Sequence, residues 1–139
     1  MTPHPRAGSR NLGRSSVAVF VAFIAVAILS LATDQILHVL NVYPPWGQPM
    51  FDPALNLLAL SYRIGYTILG GYIAGRLAPR NPVRHAIVLG IVGLIVGSAS
   101  ALAVMSKYDL GPRWYPLGIA LTAFPCSWLG GVLARRLST

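Results

Sequence analysis

Four long apolar segments, separated by short polar or proline-rich stretches, dominate the chain. Residues 17–33 form an uncharged run of 17 residues, and apolar character resumes over residues 36–40. Together they give about 24 residues, enough to cross a hydrocarbon core of roughly 30 Å as an α-helix. Three further segments have similar lengths. The pattern predicts four helices, over residues 17–40, 53–78, 82–105 and 112–137.

Proline and a preceding polar residue mark two of the helix starts. Asp52-Pro53 predicts an N-terminus, because an Asp side chain accepts backbone N–H bonds and a first-turn proline has no N–H to lose. Asn81-Pro82 repeats this pattern after a very short turn. Pro125 lies inside the fourth segment, where neighbouring helices can compensate for the freed carbonyl of a kinked helix.

The distribution of apolar residues indicates the fold class. The segments are apolar all round, unlike soluble amphipathic helices, and they lack the alternation of about ten residues that membrane strands need. The sequence predicts an all-α membrane protein of four transmembrane helices. We expect residues 1–16, with their prolines and arginines, to be a disordered basic cytoplasmic tail, and residues 17–139 to form one transmembrane domain.

Composition agrees with a lipid environment. Hydrophobic residues make up 55% of the chain and charged residues only 10%, against about 25% charged residues in soluble domains. A soluble chain of 139 residues still exposes much of its area and could not hide so much apolar surface.

The net charge of +8 would suggest nucleic-acid binding in a soluble protein. Here the positive residues flank the apolar segments, so we expect no nucleic-acid partner. Eight arginines would share one side of the membrane: Arg6, Arg10, Arg14, Arg76, Arg80, Arg84, Arg135 and Arg136. The other side would hold only Lys107 and Arg113. The positive-inside rule then predicts that both termini are cytoplasmic.

An aromatic cluster near the opposite ends of the helices is typical of a membrane interface. Its members are Tyr43, Trp46, Tyr108, Trp114 and Tyr115. A cleaved signal peptide is the alternative interpretation of the first segment, since Ser30-Leu31-Ala32 is similar to a cleavage site. The apolar stretch is long for a signal peptide and continues past that site.

Glycines recur where helices could approach one another closely. The pattern G-G-x-x-A-x-R-L occurs over residues 70–77 and again over 130–137, which permits two tandem helical hairpins or simple convergence. Small residues let helix backbones pack in lipid. The expected packing positions are Gly71 and Gly75 in the second helix, and Gly93 and Gly97 in the third. They serve contacts within the chain or between copies.

One group of polar residues lies inside the apolar segments. Asp34 and His38 are four residues apart and share a helix face. Arg63 would lie about 15 Å below the outer surface, and its long side chain can reach toward the interface. Asn56, Arg63 and Tyr66 fall on one face of the second helix by their spacing. The predicted intramembrane site therefore contains Asp34, His38, Asn56, Arg63 and Tyr66.

Two interpretations of this group remain open. An outward-facing cavity could bind an anion or relay protons, with Arg63 as the anion ligand and His38 titrating at its mouth. Alternatively, a neutralised Asp34–Arg63 pair fixes the first helix against the second. One Asp paired with one Arg leaves little surplus charge for a substrate, which favours the structural interpretation.

We expect no catalytic residue, no metal site and no cofactor. Asp34 and His38 are only two candidate metal ligands, and His38 and His85 would lie at opposite membrane surfaces. Ser127 and Cys126 are nucleophiles without an expected base nearby. The single cysteine, Cys126, cannot form an internal disulfide.

The segment GGYIAGRLAPRNPVRHA, residues 70–86, resembles the cytoplasmic hairpin of many small bacterial four-helix membrane proteins. This resemblance implies a bacterial inner-membrane location. Small multidrug transporters have a similar size and helix count. They carry a membrane-embedded Glu in helix one and no arginine at mid-membrane, and their dual-topology members lack a strong charge bias, so their function does not transfer to this chain.

The sequence thus predicts a small integral membrane protein in contact with the lipid bilayer, without catalytic activity. We expect a structural or accessory subunit that contacts its own copies or a larger membrane complex. The alternative is a small oligomeric transporter or channel with Asp34 and Arg63 in its pathway.

Overall fold

The computed structural model describes residues 6–138, and their regular elements are all α-helices. The four helices are α1 (Arg6–Val39), α2 (Pro53–Leu77), α3 (Pro82–Lys107) and α4 (Trp114–Arg136). The predicted all-α class and helix count are therefore confirmed for this part of the chain. The expected disorder of residues 1–5 lies outside the described residues.

Three of the helices are long and apolar enough to cross a membrane. They are Asn11–Val39 within α1, Pro82–Lys107 and Trp114–Arg136. Helix α2, which corresponds to the predicted span over residues 53–78, is not among these three. It is less apolar, because it contains Asn56, Arg63 and three tyrosines. These three candidate spans are typical of a membrane protein.

The N-terminal part of α1 differs from the sequence prediction. Residues 6–16 were expected to be disordered, yet α1 begins at Arg6 and runs without a break through residues 30–32 to Val39. A helix extends at little cost once it is nucleated, and no proline interrupts residues 6–39. The Ser16 hydroxyl donates to the Leu12 carbonyl oxygen at 3.0 Å, as expected inside a helix.

The end of α1 is set by a left-handed residue. Asn41 has φ +56°, a conformation that asparagine tolerates better than most residues. Its N–H donates to the His38 carbonyl at 3.1 Å, and the Val42 N–H donates to the Leu37 carbonyl at 3.0 Å. This pair of bonds is a Schellman motif, which satisfies carbonyls left open by the helix end.

The two predicted proline-marked starts behave differently. The Asp52 carboxylate accepts from the backbone N–H groups of Ala54 and Leu55, so the predicted N-cap of α2 is confirmed. Asn81 precedes α3 but has φ +51° and makes no side-chain cap bond. The very short turn between α2 and α3 places Asn81 in this left-handed conformation, which replaces the expected cap.

Within residues 6–138, α2 and α3 each contact the three other helices, whereas α1 and α4 do not contact each other. The loops that follow α1 and α3 lie at the same end of the bundle, since the Met50 N–H donates to the Leu110 carbonyl at 2.7 Å. At the other end, Arg76 donates to the Ser138 hydroxyl at 3.0 Å. Helix α2 therefore extends from one end of the bundle to the other.

The interior is built from small residues rather than large aliphatic ones. The buried apolar residues include nine alanines. The backbones of α2 and α4 cross in direct contact: a Cβ added at Gly71 would collide with the Ser127 carbonyl, and one at Gly130 with the Ile68 carbonyl. This close approach requires glycine, because any larger side chain would separate the two backbones. In lipid, van der Waals contact of this kind holds helices together.

The other predicted packing glycines also face neighbours within the chain. A Cβ at Gly75 would lie 2.7 Å from the Ala134 Cβ. On α3, a Cβ at Gly93 would lie 3.3 Å from the Ala123 Cβ, and one at Gly97 would lie 3.4 Å from the Ala120 Cα. The glycine stripes therefore form the intramolecular contact between α4 and both α2 and α3.

The repeated G-G-x-x-A-x-R-L segments occupy different packing positions. Gly71 meets Ser127 of α4, whereas its counterpart Gly131 would meet Ala86 and Val83 of α3. Equivalent glycines thus have non-equivalent neighbours. Their common role is close backbone approach, and the tandem duplication stays a hypothesis. Helix α4 continues through Pro125 without interruption.

Candidate functional site

Asp34 of α1 and Arg63 of α2 form an ion pair between Oδ2 and the guanidinium Nη2. Asp34 is buried, at 7% relative exposure, whereas the Arg63 side chain is 21% exposed. A charge inside a bilayer is costly unless it is paired or faces water. The ion pair therefore offsets the cost of burying the Asp34 carboxylate.

Two tyrosines complete the environment of the carboxylate. The Tyr62 hydroxyl donates to Asp34 Oδ1, so each carboxylate oxygen has its own donor. The Tyr43 hydroxyl lies 3.2 Å from the Tyr62 hydroxyl and 3.5 Å from the Leu55 carbonyl oxygen. Burial raises the pKa of the Tyr43 phenol above its ordinary value, which keeps this loop residue neutral.

Arg63 also connects this group to α4. Its Nη1 donates to the Tyr115 hydroxyl at 3.2 Å. Arg63 therefore links α1 through Asp34 and α4 through Tyr115, while Tyr62 joins the same carboxylate from α2. Among the described residues, no buried side-chain nitrogen or oxygen lacks a hydrogen-bond partner. We call Tyr43, Tyr62, Arg63, Asp34 and Tyr115 the polar cluster.

Asn56 and Tyr66 lie near the polar cluster but bond elsewhere. The buried Asn56 amide donates to the Met50 and Asp52 carbonyls at 2.9 and 2.8 Å. It therefore holds the preceding loop against the first turn of α2. The Tyr66 hydroxyl lies 2.8 Å from the Thr33 hydroxyl and forms a second link between α1 and α2.

His38 lies at the loop end of α1. Its Nδ1 is 2.6 Å from the Pro44 carbonyl oxygen, and since a carbonyl only accepts, Nδ1 carries the proton. The ring lies against Trp46, with centroids 3.9 Å apart, and the Trp46 indole donates to Gln35 Oε1 at 3.1 Å. His38 thus orders the loop that covers the polar cluster.

Two cavities reach the polar cluster from the loop end of the bundle. The smaller, about 180 Å³, is lined by Asp34, His38 and Arg63 together. The larger, about 620 Å³, is lined by Asn56, Arg63 and Tyr115, with α3 and the loop that follows it. Arg63 is common to both. The structure therefore brings four of the five predicted site residues to adjoining cavities, and Tyr66 lines neither.

Three members of the polar cluster are not in the predicted site. The sequence places Tyr43 and Tyr115 in an interfacial aromatic belt, and it does not indicate Tyr62. A phenol within an apolar helix usually finds a hydrogen-bond partner, and this signal applied to Tyr62. Tyr115 is 52 residues from Arg63, a distance at which helix periodicity carries no information.

Ser127 and Cys126, the candidate nucleophiles, lie among helix-packing contacts. The buried Ser127 hydroxyl donates to the Ala86 carbonyl oxygen at 2.7 Å, which joins α4 to α3. Cys126 is a free, partly exposed thiol. Over residues 6–138, no group of three His, Cys, Asp or Glu side chains lies close enough to hold a metal ion.

The chain was compared with known proteins by family, by sequence and by structure. No family model, no curated protein and no solved structure matches it.

Proposed function

We propose that the chain is a non-catalytic integral membrane protein that acts as a structural or accessory subunit. The observation that carries this proposal is the closed hydrogen bonding of the polar cluster. Both Asp34 oxygens are occupied from within the chain, and Arg63 bonds to Asp34 and Tyr115. A buried pair satisfied in this way orients three helices without any ligand.

The proposed arrangement has four membrane crossings with both termini in the cytoplasm of a bacterial cell. Support for α2 as the fourth crossing comes from its 25 residues, which span about 37 Å, and from its packing against all three candidate spans. Asn56 is buried and Arg63 and the tyrosines of α2 are only partly exposed, so its low hydropathy is compatible with a transmembrane position.

Support for the orientation comes from where the arginines lie. Arg80 and Arg84 lie beside residues 11–16 of α1, and Arg76 reaches Ser138 beyond α4. The start of α1, the α2–α3 turn and the end of α4 are thus at one end of the bundle, opposite Lys107 and Arg113. An arginine-rich end is expected to be cytoplasmic.

The accessory role has a direct test. The tagged full-length chain is expressed at native level and purified from membranes in a mild detergent. We expect a larger assembly in which a second membrane protein is present in fixed stoichiometry. Tagged Asp109→Asn, an exposed change at the loop end, should recover the same assembly. Recovery of the chain alone or only as its own oligomer, in several mild detergents and after cross-linking in membranes, would contradict an accessory role.

A transporter or channel is the second candidate, favoured by the cavity of about 620 Å³ in which Arg63 is partly exposed. The same purified chain in proteoliposomes distinguishes the two. The accessory role predicts no chloride, phosphate or proton flux above that of empty vesicles. Flux in the wild type would establish transport instead, and its loss in the charge-balanced double variant Arg63→Gln with Asp34→Asn would assign the pair to the pathway.

A further inference from the structure

A long groove runs between α1 and α3, away from the polar cluster, and has a volume of about 810 Å³. Its walls are apolar over most of its length. They are formed by Val19, Phe20, Phe23, Val88, Val92 and Val96. The groove begins where α3 begins, at the arginine-rich end of the bundle, and extends toward the middle of the apolar segments.

The end of the groove at the membrane surface is cationic. Arg80, Arg84 and His85 line it, together with polar residues at the start of α1. The start of α3 adds to the positive potential, because helix N-termini carry partial positive charge and this one has no side-chain cap. His85 Nδ1 donates to the Asn81 carbonyl at 3.1 Å, which fixes the ring beside the groove.

These arginines have no carboxylate to neutralise them. The chain has three acidic side chains, Asp34, Asp52 and Asp109, and none lines the groove. Arg80 and Arg84 are exposed, and in the described part of the chain their side chains take part in no hydrogen bond or ion pair. The groove thus has two guanidinium groups without a protein partner at its polar end.

We infer that this groove binds an anionic phospholipid. The headgroup phosphate would lie between Arg80 and Arg84, and an acyl chain would lie along the valines and phenylalanines. The dimensions agree: from Arg84 to Val96 the groove follows twelve residues of α3, about 18 Å, and one leaflet contributes roughly half of a 30 Å hydrocarbon core. Basic pockets between membrane helices are known to hold anionic headgroups.

The test measures lipid binding to the full chain in detergent. Native mass spectrometry follows adducts during titration with dioleoylphosphatidylglycerol or with dioleoylphosphatidylcholine, which has the same acyl chains and no net charge. We expect the anionic lipid to bind on the order of tenfold more tightly, since each basic residue near the headgroup adds attraction. Arg80→Gln with Arg84→Gln should abolish this preference.

Two controls separate the groove from general charge attraction. Arg135→Gln with Arg136→Gln removes the same charge at the same end and should keep the preference. Val92→Trp keeps the arginines but fills the apolar part of the groove, and should weaken binding of both lipids. Unfolding temperatures without added lipid establish that each variant is folded.

Three results would overturn the inference. The first is equal affinity for the two lipids. The second is an unchanged preference in the Arg80 and Arg84 double variant. The third is full competition by millimolar inorganic phosphate, which would indicate a phosphate site that does not hold an acyl chain. None of these results bears on the accessory role proposed above, because they concern a surface remote from the polar cluster.

Discussion

Asp34 and Arg63 illustrate how a charged pair becomes compatible with an apolar bundle. The carboxylate is buried and bonded through both oxygens, while the guanidinium reaches cavities that open at the loop end. A pair of this kind contributes little net stability relative to apolar residues, but loss of one partner leaves an uncompensated buried charge. For stability, it therefore matters less that these residues are Asp and Arg than that their charges cancel.

This asymmetry gives a prediction at the residue scale. Arg63→Gln alone should destabilise the chain by roughly 3–5 kcal/mol, whereas Arg63→Gln with Asp34→Asn should recover most of that loss. Asp109→Asn and Arg113→Gln, both exposed and at the same end, serve as the matched pair and should each change stability by less than about 0.5 kcal/mol. Reversible unfolding in mixed micelles provides the measurement. A double variant as unstable as the single one would argue that the charges are needed for something other than mutual neutralisation.

The sequence indicated Asp34, His38 and Arg63 because charged or titratable residues are rare in apolar segments. It did not indicate their partners. Tyr43 and Tyr115 belong to other parts of the chain, and only packing brings them to Asp34 and Arg63. Asn56 shares a helix face with Arg63, yet its amide bonds to loop carbonyls, a choice that depends on where the loop runs.

At the scale of helices, α2 and α4 cross in direct backbone contact. Gly71 and Gly130 bring the two backbones together at Ser127 and Ile68. On the opposite side of α2, Gly65 is exposed and has nothing within 4 Å of where a Cβ would stand. Helix α2 thus contains Gly71, which the packing requires to be glycine, and Gly65, which the packing does not.

Gly130→Ala should therefore destabilise the chain by about 1–3 kcal/mol, because the added methyl group forces the backbones apart. Gly65→Ala should be neutral, or stabilising by up to about 1 kcal/mol through helix propensity. Both changes can be compared by thermal unfolding of the purified chain in detergent. Equal effects of the two substitutions would mean that α2 and α4 do not cross at Gly71 and Gly130.

Helix boundaries were more predictable than helix contacts. Asp52-Pro53 and the apolar runs gave the limits of α2 and α3 to within two residues. The sequence does not predict the start of α1, because residues 6–16 contain glycine, serine and asparagine, which have low helix propensity. The glycine stripes predicted close packing, but their period cannot distinguish a neighbouring helix from a second copy. Only the fold shows that Gly93 and Gly97 face α4.

At the scale of the whole molecule, positive charge and apolar surface are segregated along the bundle axis. The arginines around the α2–α3 turn lie at one end with the start of α1 and the end of α4. The aromatic loops lie at the other end, where Met50 and Leu110 join them. Many large apolar side chains on α1, α3 and α4 are exposed, as expected of surfaces solvated by lipid.

The four-crossing proposal can be tested on the full chain by labelling with a membrane-impermeant maleimide in a Cys126→Ala background. Gln48→Cys, in the loop before α2, should react in intact bacterial cells. Arg80→Cys, in the turn after α2, should react only after the inner membrane is permeabilised. Both positions are exposed, so reactivity reports the side of the membrane. Labelling of both cysteines in intact cells would show that α2 does not cross.

The packing of α2 against α4 has a consequence for biogenesis. Because Tyr115 and Gly130 belong to α4, a ribosome completes α2 well before the residues that cover one of its sides. Until α4 is made, Arg63 lacks the Tyr115 hydroxyl as a partner and Gly71 lacks the Ser127 backbone against which it packs. We therefore expect chains that are interrupted before α4 to be degraded faster than the full-length protein.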